Sequence, residues 1–350
     1  MRERVLSGMR PSGKLHLGHL HGALANWREL QERYDSFFFV ADWHALTSEY
    51  ANPAAIRENG RQMVLDWLAA GIDPSKAVIF VQSQVVEHAE LHLLLSMITP
   101  LSWLERCPTY KEQLEQVKDK DLHTYGFLGY PVLQTADIVM YLANWVPVGV
   151  DQLPHLELAR EIVRRFHFLY GEGVLVEPQP KLTEFPKIPG TDGRKMSKSY
   201  GNSIFLSDTA EETGKKILPM VTDPARVRRT DPGDPAICPV FTLHRVSTPE
   251  SERARLAEGC RSAGIGCIDC KRTLIETLNV SLVPLRRRRD ELAADAGLVE
   301  RILAEGTARA RSEAASVMAA VRRAVLSSVA LICHSKKSSC SAKISTQKAP

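Results

Sequence analysis

The feature that most limits how this chain can fold is an alternation in its first eighty residues. Short apolar runs at Val5–Leu6, Phe37–Val40 and Val78–Val81 are separated by helical periodicity from His19 to Tyr34 and from about Pro53 to Ala70. Such short, continuous runs fit strands covered on both faces, so the order reads βαβαβ and predicts a parallel sheet in an α/β fold. Asn52 is placed to cap the second helix, with Pro53 at its first position and Gly71 at its end. Two further helices are expected, one containing Leu133 to Tyr141 and one from about Leu156 to Tyr170, and the run Trp145–Val148 between them continues the sheet.

From about Glu177 the texture changes to Pro178, Pro180, Pro186, Pro189, Gly190 and Gly193, which reads as a loop leaving the sheet. Past residue 203 helical patterns take over, ending in a helix from Leu298 to Val325 with Gly306 inside it. At 350 residues the chain is too long for one small core. Its expected division is 1–202, 203–327 and a basic tail, 328–350, whose serines and lysines show no periodicity and predict disorder.

Lys and Arg number 45 against 41 Asp and Glu, a net charge of +4 that permits a polyanionic partner without demanding one. No apolar run approaches the ~18 residues of a membrane span, so no membrane partner is expected. Ser7, Gly8 and Arg10 interrupt Val5 and Leu6 before a secretion signal can form, which points to the cytoplasm.

Two signatures carry chemistry. After the first strand comes Met9-Arg10-Pro11-Ser12-Gly13-Lys14-Leu15-His16-Leu17-Gly18-His19, a turn with two histidines opening a helix. Free N–H groups and the helix dipole favour phosphate there, and Gly18 leaves room beside the backbone for a base or ribose. A lone HxGH is also what two ordinary surface or capping histidines look like. The second signature is Asp192-Gly193-Arg194-Lys195-Met196-Ser197-Lys198-Ser199, a cationic loop able to close on a polyphosphate, or by itself a solvated linker.

Together and in this order the two resemble the HIGH and KMSKS motifs of class I aminoacyl-tRNA synthetases, with Leu17 where the second letter is usually Ile. Gly129-Tyr130-Pro131-Val132-Leu133-Gln134-Thr135-Ala136-Asp137-Ile138 and Val146-Pro147-Val148-Gly149-Val150-Asp151-Gln152 resemble the bacterial tryptophanyl branch over about residues 5 to 325. The resemblance implies a Rossmann-like catalytic domain ending in the KMSKS loop and a helical anticodon-binding domain. It implies ATP-dependent ligation of L-tryptophan to tRNA(Trp) through an adenylate, with Mg²⁺ and as a homodimer. On it, Lys195 and Lys198 meet the β and γ phosphates, and His16 and His19 the α-phosphate and ribose. Met9, Arg10, Pro11, Ser12, Gly18, Gly149, Asp151, Met196 and Ser197 complete the ATP site.

Indole N–H can only donate, so its pocket needs one acceptor among apolar walls. The resemblance gives that role to Asp137, with Leu6, Val146 and Val148 as walls and Tyr130 and Gln152 at the ammonium group. Gln134 stands where the family often has Met. Basic stretches at Arg226, Arg228, Arg229 and Arg286 to Arg289 are candidate tRNA contacts, or solvated faces. Tyrosyl-tRNA synthetase is the enzymatic rival, and a binding protein that has lost catalysis the non-enzymatic one; intact His16, His19, Lys195 and Lys198 weigh against the latter.

Cys238, Cys260, Cys267 and Cys270 crowd into one interval, spaced C-x21-C-x6-C-x2-C. Thiols this close in a reducing compartment suggest a metal site, and zinc satisfies four sulfurs. The spacing is similar to that of a subset of tryptophanyl synthetases with a [4Fe-4S] cluster, which is the favoured reading, with unligated thiols a third. Cys107, Cys333 and Cys340 are expected to be free.

Overall fold

The computed structural model describes residues 2–108, 110–111, 121–182 and 188–340. In chain order it contains β1 (Arg4–Met9), α1 (Leu17–His19), a π-turn (Leu20–Leu24) and α2 (Ala25–Arg33). Then follow β2 (Asp35–Val40), α3 (Asp42–Glu49), α4 (Ala54–Ala69), β3 (Ala77–Val81), α5 (Glu87–Ser96) and α6 (Leu101–Glu105). The sheet resumes through α7 (Tyr125–Met140), β4 (Trp145–Val148), α8 (Leu153–Tyr170) and β5 (Gln179–Leu182). Five helices finish the described chain: α9 (Ala210–Ile217), α10 (Pro239–Ser247), α11 (Glu250–Arg261), α12 (Cys267–Ala294) and α13 (Leu298–Cys340).

The five strands are all parallel in the order β3-β2-β1-β4-β5. Strand alternation divides the interior into two cores. Val5 and Phe38 face one with Trp27 and Trp67, while Leu6, Phe37 and Phe39 face the other with Val132 and Ile162. The predicted helices and strands are present, with three differences. Pro53, not Asn52, occupies the N-cap of α4, and no side chain caps that end; Gly71, at φ +100°, does follow the helix. The Pro-rich stretch expected to be loop pairs as β5, with Pro180 opposite Val146. Proline is tolerated there because an edge strand needs only one of its two rows of hydrogen bonds.

The third difference is α13. Grouped by sequence with residues 203–327, it returns to the sheet and lies across the edge strand β3, where Ala310, Ala314, Val317 and Met318 enter the second core. The crossing is so close that a Cβ on Gly306 would stand 1.8 Å from the carbonyl oxygen of Ile79. Thr307 Oγ1 donates to Gln84 Oε1 at 3.1 Å, and Arg4 reaches Glu313 at 2.8 Å. An apolar helical stripe shows which face is buried, not which neighbour buries it. The helix also runs on to Cys340 through the first part of the expected tail; from Thr307 onward no Gly or Pro interrupts it. The remaining tail, residues 341–350, lies outside the described residues.

Candidate active site

In a parallel sheet of this order the connections change direction between β1 and β4, and a ligand crevice forms outside the carboxyl ends of those two strands. Met9, Arg10, Pro11 and Ser12 leave the end of β1. Gly149 follows β4, succeeded by a 3₁₀ turn, Val150–Gln152. The topology thus brings together segments 140 residues apart in the chain; the side chain of Asp151 lies outside the described residues.

The HxGH segment is built by capping. The backbone N–H of Gly18 donates to His16 Nδ1 at 3.1 Å, and that of His16 donates to His19 Nδ1 at 3.2 Å, so the two rings close the first turn of α1 reciprocally. Their centroids are 3.9 Å apart. The capping role considered for these histidines is therefore real, and the space above Gly18 is taken by the His16 ring, 2.9 Å from where a Cβ would sit. Burial, with Lys198 nearby, pushes His16 down to about 4; burial, then His16 and Lys198, push His19 down to about 2. Both rings are neutral at physiological pH, and each keeps one N–H donor.

The second signature folds back onto the first. Leu17 donates its N–H to Ile204 and Leu206 donates to Leu15, at 3.1 and 2.9 Å. Buried Asn202 shapes the loop: its Nδ2 donates to Asp192 at 2.7 Å, and its Oδ1 accepts from the N–H of Ser197 at 2.8 Å. Met196 anchors the loop in the core. Lys198 Nζ donates to the carbonyl of Gly13 at 2.9 Å, and burial lowers its pKa to about 8. Lys195 is exposed on the outer side of the loop. Arg10 is held down from its usual range by burial; it donates to Ser48, while its Nε is buried with no partner among the described residues.

Asp137, on α7, is 1 % exposed and sits among side chains that sequence reasoning missed. His44 Nε2 donates to Oδ2 at 2.8 Å, His88 Nδ1 to Oδ1 at 2.6 Å, and Gln82 Nε2 to both oxygens at 2.9 Å. Burial alone raises the carboxyl, but the two histidine bonds outweigh it and hold the group at about 2. His44 follows β2 and Gln82 follows β3, so their places at strand ends were the only signal in the sequence. Leu6, Val146 and Val148 lie in the same core, on the face covered by α7. Gln134 is half-buried on α7, and Tyr130 shares a 2.6 Å hydrogen bond with His155 Nε2.

Of the basic stretches, half-buried Arg289 pairs with buried Asp66 at 2.6 Å, Arg286 binds Asn279 and Thr213, and Arg226 binds the carbonyls of Arg229 and Ile265. These three hold the fold together; Arg228, Arg229, Arg287 and Arg288 are exposed.

The four clustered cysteines line one small cavity together with Thr222, Arg226, Val240 and Phe241. Cys238 stands at the N-cap position of α10, Cys260 lies in the last turn of α11, and Cys267 and Cys270 share a face of the first turn of α12. Burial and the neighbouring sulfurs push Cys270 up to about 12. Among the described residues, however, no group of three His, Cys, Asp or Glu side chains is disposed to hold a metal ion. Cys107 is a free, buried thiol, and the side chains of Cys333 and Cys340 lie outside the described residues.

Residues 2–282 match the family described as tRNA synthetases class I (W and Y), and the chain belongs to that family. The tryptophan–tRNA ligase of Thermotoga maritima is 54% identical over 324 residues, covering 92% of this chain and 98% of its own. That of Ralstonia nicotianae is 46% identical with the same coverage of each chain. Among solved structures, tryptophanyl-tRNA synthetase from Campylobacter jejuni, complexed with ADP and tryptophan, superposes with a TM-score of 0.83 at 33% identity, covering 92% of this chain and 99% of that one. Within the family, the chain is an enzyme of the tryptophan-ligating kind.

Proposed function

We propose that the protein joins L-tryptophan to tRNA(Trp) in two steps. The tryptophan carboxylate attacks the α-phosphate of ATP to give the adenylate and pyrophosphate; the terminal ribose of the tRNA then takes the acyl group and AMP leaves. The observation that carries the reading is the meeting of Lys198 with Gly13, which joins the two signatures at the carboxyl end of β1.

The substrate supplies the nucleophile, so the residues have only to align groups and stabilise charge. Lys195 and Lys198 take the β and γ phosphates, and bound Mg²⁺ neutralises the remaining phosphate charge. Arg10, with a buried guanidinium donor to spare, joins them. His16 and His19 serve as neutral donors at the α-phosphate and ribose, strengthening as charge develops. Met9, Pro11, Ser12, Gly18, Gly149, Asp151, Met196 and Ser197 frame the nucleotide. Asp137, permanently ionised, accepts the indole N–H between Leu6, Val146 and Val148, on the side where His44 is the most exposed of its partners. Tyr130 and Gln152 hold the ammonium group, with Gln134 lining the pocket.

Residues 203–327 form the helical domain that reads the tRNA anticodon, its last helix, α13, lying back on the sheet. The four cysteines hold a [4Fe-4S] cluster in preference to Zn²⁺. Cys238, Cys260, Cys267 and Cys270, which line one cavity beside Arg226, would be the ligands, and a cluster bound there would tie α10, α11 and α12 together. Exposed Leu93, Met97 and Leu101 suit a homodimer, and no helix among the described residues is long and apolar enough to cross a membrane. We place the enzyme in the cytoplasm with its tRNA.

ATP–pyrophosphate exchange with each of the twenty amino acids tests the assignment. Exchange should depend on tryptophan and hardly respond to tyrosine; equal stimulation by tyrosine overturns it.

A further inference from the structure

Behind Asp137 lies a second, fully buried layer. His88 is fully buried, and both of its ring nitrogens are used: Nδ1 faces Asp137 Oδ1 at 2.6 Å and Nε2 faces the hydroxyl of Tyr141 at 2.7 Å. Tyr141 is itself wholly buried, against Phe37 at 4.8 Å and Phe80 at 5.2 Å between ring centroids. An ionised carboxylate can only accept, so the hydrogen of the short bond sits on Nδ1. Nε2 and the Tyr141 hydroxyl share the second hydrogen bond, so both ring nitrogens are held. A continuous hydrogen-bonded chain thus links Tyr141, His88 and Asp137.

Gln82 holds the carboxylate from another side. Its Nε2 donates to both oxygens, and its Oε1 accepts the backbone N–H of Trp43 at 3.1 Å, at the start of α3. Three elements therefore fix one carboxylate, of which His44 is the most open member and His88 the most enclosed.

We propose that His88, backed by Tyr141, is a positioning residue for tryptophan selection: it locks the plane of the Asp137 carboxylate so that the Oδ2 position held by His44, its most open partner, is the one the indole N–H takes over. The idea rests on Asp137 being the indole acceptor. It adds that aim, and not the presence of a carboxylate alone, sets the preference for a ring bearing N–H. A carboxylate free to turn would bind water or a phenol as readily. A fixed one discriminates because a misaligned donor leaves a buried acceptor unpaired.

The test compares tryptophan with β-(3-benzothienyl)alanine, in which sulfur replaces the indole N–H, in pyrophosphate exchange. His88→Leu, which removes the donor, should raise KM for tryptophan roughly ten- to a hundredfold, as loss of a charge-assisted hydrogen bond does, with a much smaller change in kcat. The KM of the analogue should hardly move. His88→Asn puts an amide N–H where Nδ1 stands and should restore most of the tryptophan preference. Tyr141→Phe cuts only the outer bond and should give an intermediate loss confined to tryptophan; it serves if His88→Leu fails to fold, as judged by thermal melting. Equal effects on tryptophan and the analogue, or no rescue by Asn, overturn the role of His88. If Asp137→Asn does not change the ratio between tryptophan and the analogue, Asp137 is not the acceptor, and the underlying assignment falls instead.

Discussion

Lys198 donates from its Nζ to the carbonyl oxygen of Gly13 at 2.9 Å, a contact between residues 185 apart in sequence. The ammonium group thus rests on the loop that leaves β1, in the place the proposed function gives to the phosphates of ATP. Burial costs the cation part of its hydration, and Asp66, buried nearby and paired with Arg289, returns some of it electrostatically. A polyphosphate would supply the stronger partner that this lysine lacks.

The lysines of this loop should matter more to the transition state than to tryptophan binding. Lys195→Ala and Lys198→Ala are each expected to lower the rate of adenylate formation about a hundredfold or more, the usual scale for one electrostatic contact to developing charge. Single-turnover exchange and tryptophan binding measured side by side check this. Comparable losses in both would make the loop structural.

The lowered pKa of Lys198 predicts an alkaline limb. The free enzyme loses this charge as pH rises through about 8, so kcat/KM for ATP should fall above that value, while the already neutral His16 and His19 leave no acid limb down to about pH 5. Lys198→Arg, which keeps its charge, should move the limb upward. A flat profile to pH 10 would contradict the assignment.

Asp137→Ala should weaken tryptophan binding by ~1 to 3 kcal/mol and also lower stability, because His44, His88 and Gln82 lose their acceptor together. Tryptophan KM and a denaturant melt measure the two effects separately. An unchanged KM removes Asp137 from the pocket.

Gly306→Ala should destabilise the protein by ~1 to 3 kcal/mol, even though alanine is the better helix former. The added methyl group meets the backbone of Ile79, which as part of β3 cannot turn aside, so α13 must lift from the sheet edge. Thermal unfolding of the variant reads this directly, and a melting temperature at or above that of the parent would show the crossing to be looser.

Anaerobically purified protein should be brown, with iron and sulfide near four per chain as Cys₄ ligation of one cube requires. Cys267→Ser should abolish the colour and cost tRNA charging more than tryptophan-dependent exchange, since α12 carries two of the cysteines at one end and meets α4, through Arg289 and Asp66, near the other. Neither iron nor zinc in the preparation would remove the metal assignment.

The parallel sheet, its helices and both signature segments were legible in the chain because each depends on local pattern: Phe37–Val40 is apolar wherever it packs, and the HxGH residues stand at a helix start whatever surrounds them. The cysteine interval and the candidate acid Asp137 were legible in the same way, as residue types at telling positions. What the chain left open was every partnership across long separations. His44, Gln82 and His88 close round Asp137 only because β2 and β3 end, and α5 begins, beside α7. Pro180 enters the sheet only because an edge was free, Arg289 and Arg226 turn inward to hold the fold, and α13 covers β3 instead of the helices it follows. Periodicity states that a face must be buried and charge that a group must be paired; the choice of neighbour depends on shape and on the distances that all the other elements have already fixed, and that choice is made only in three dimensions.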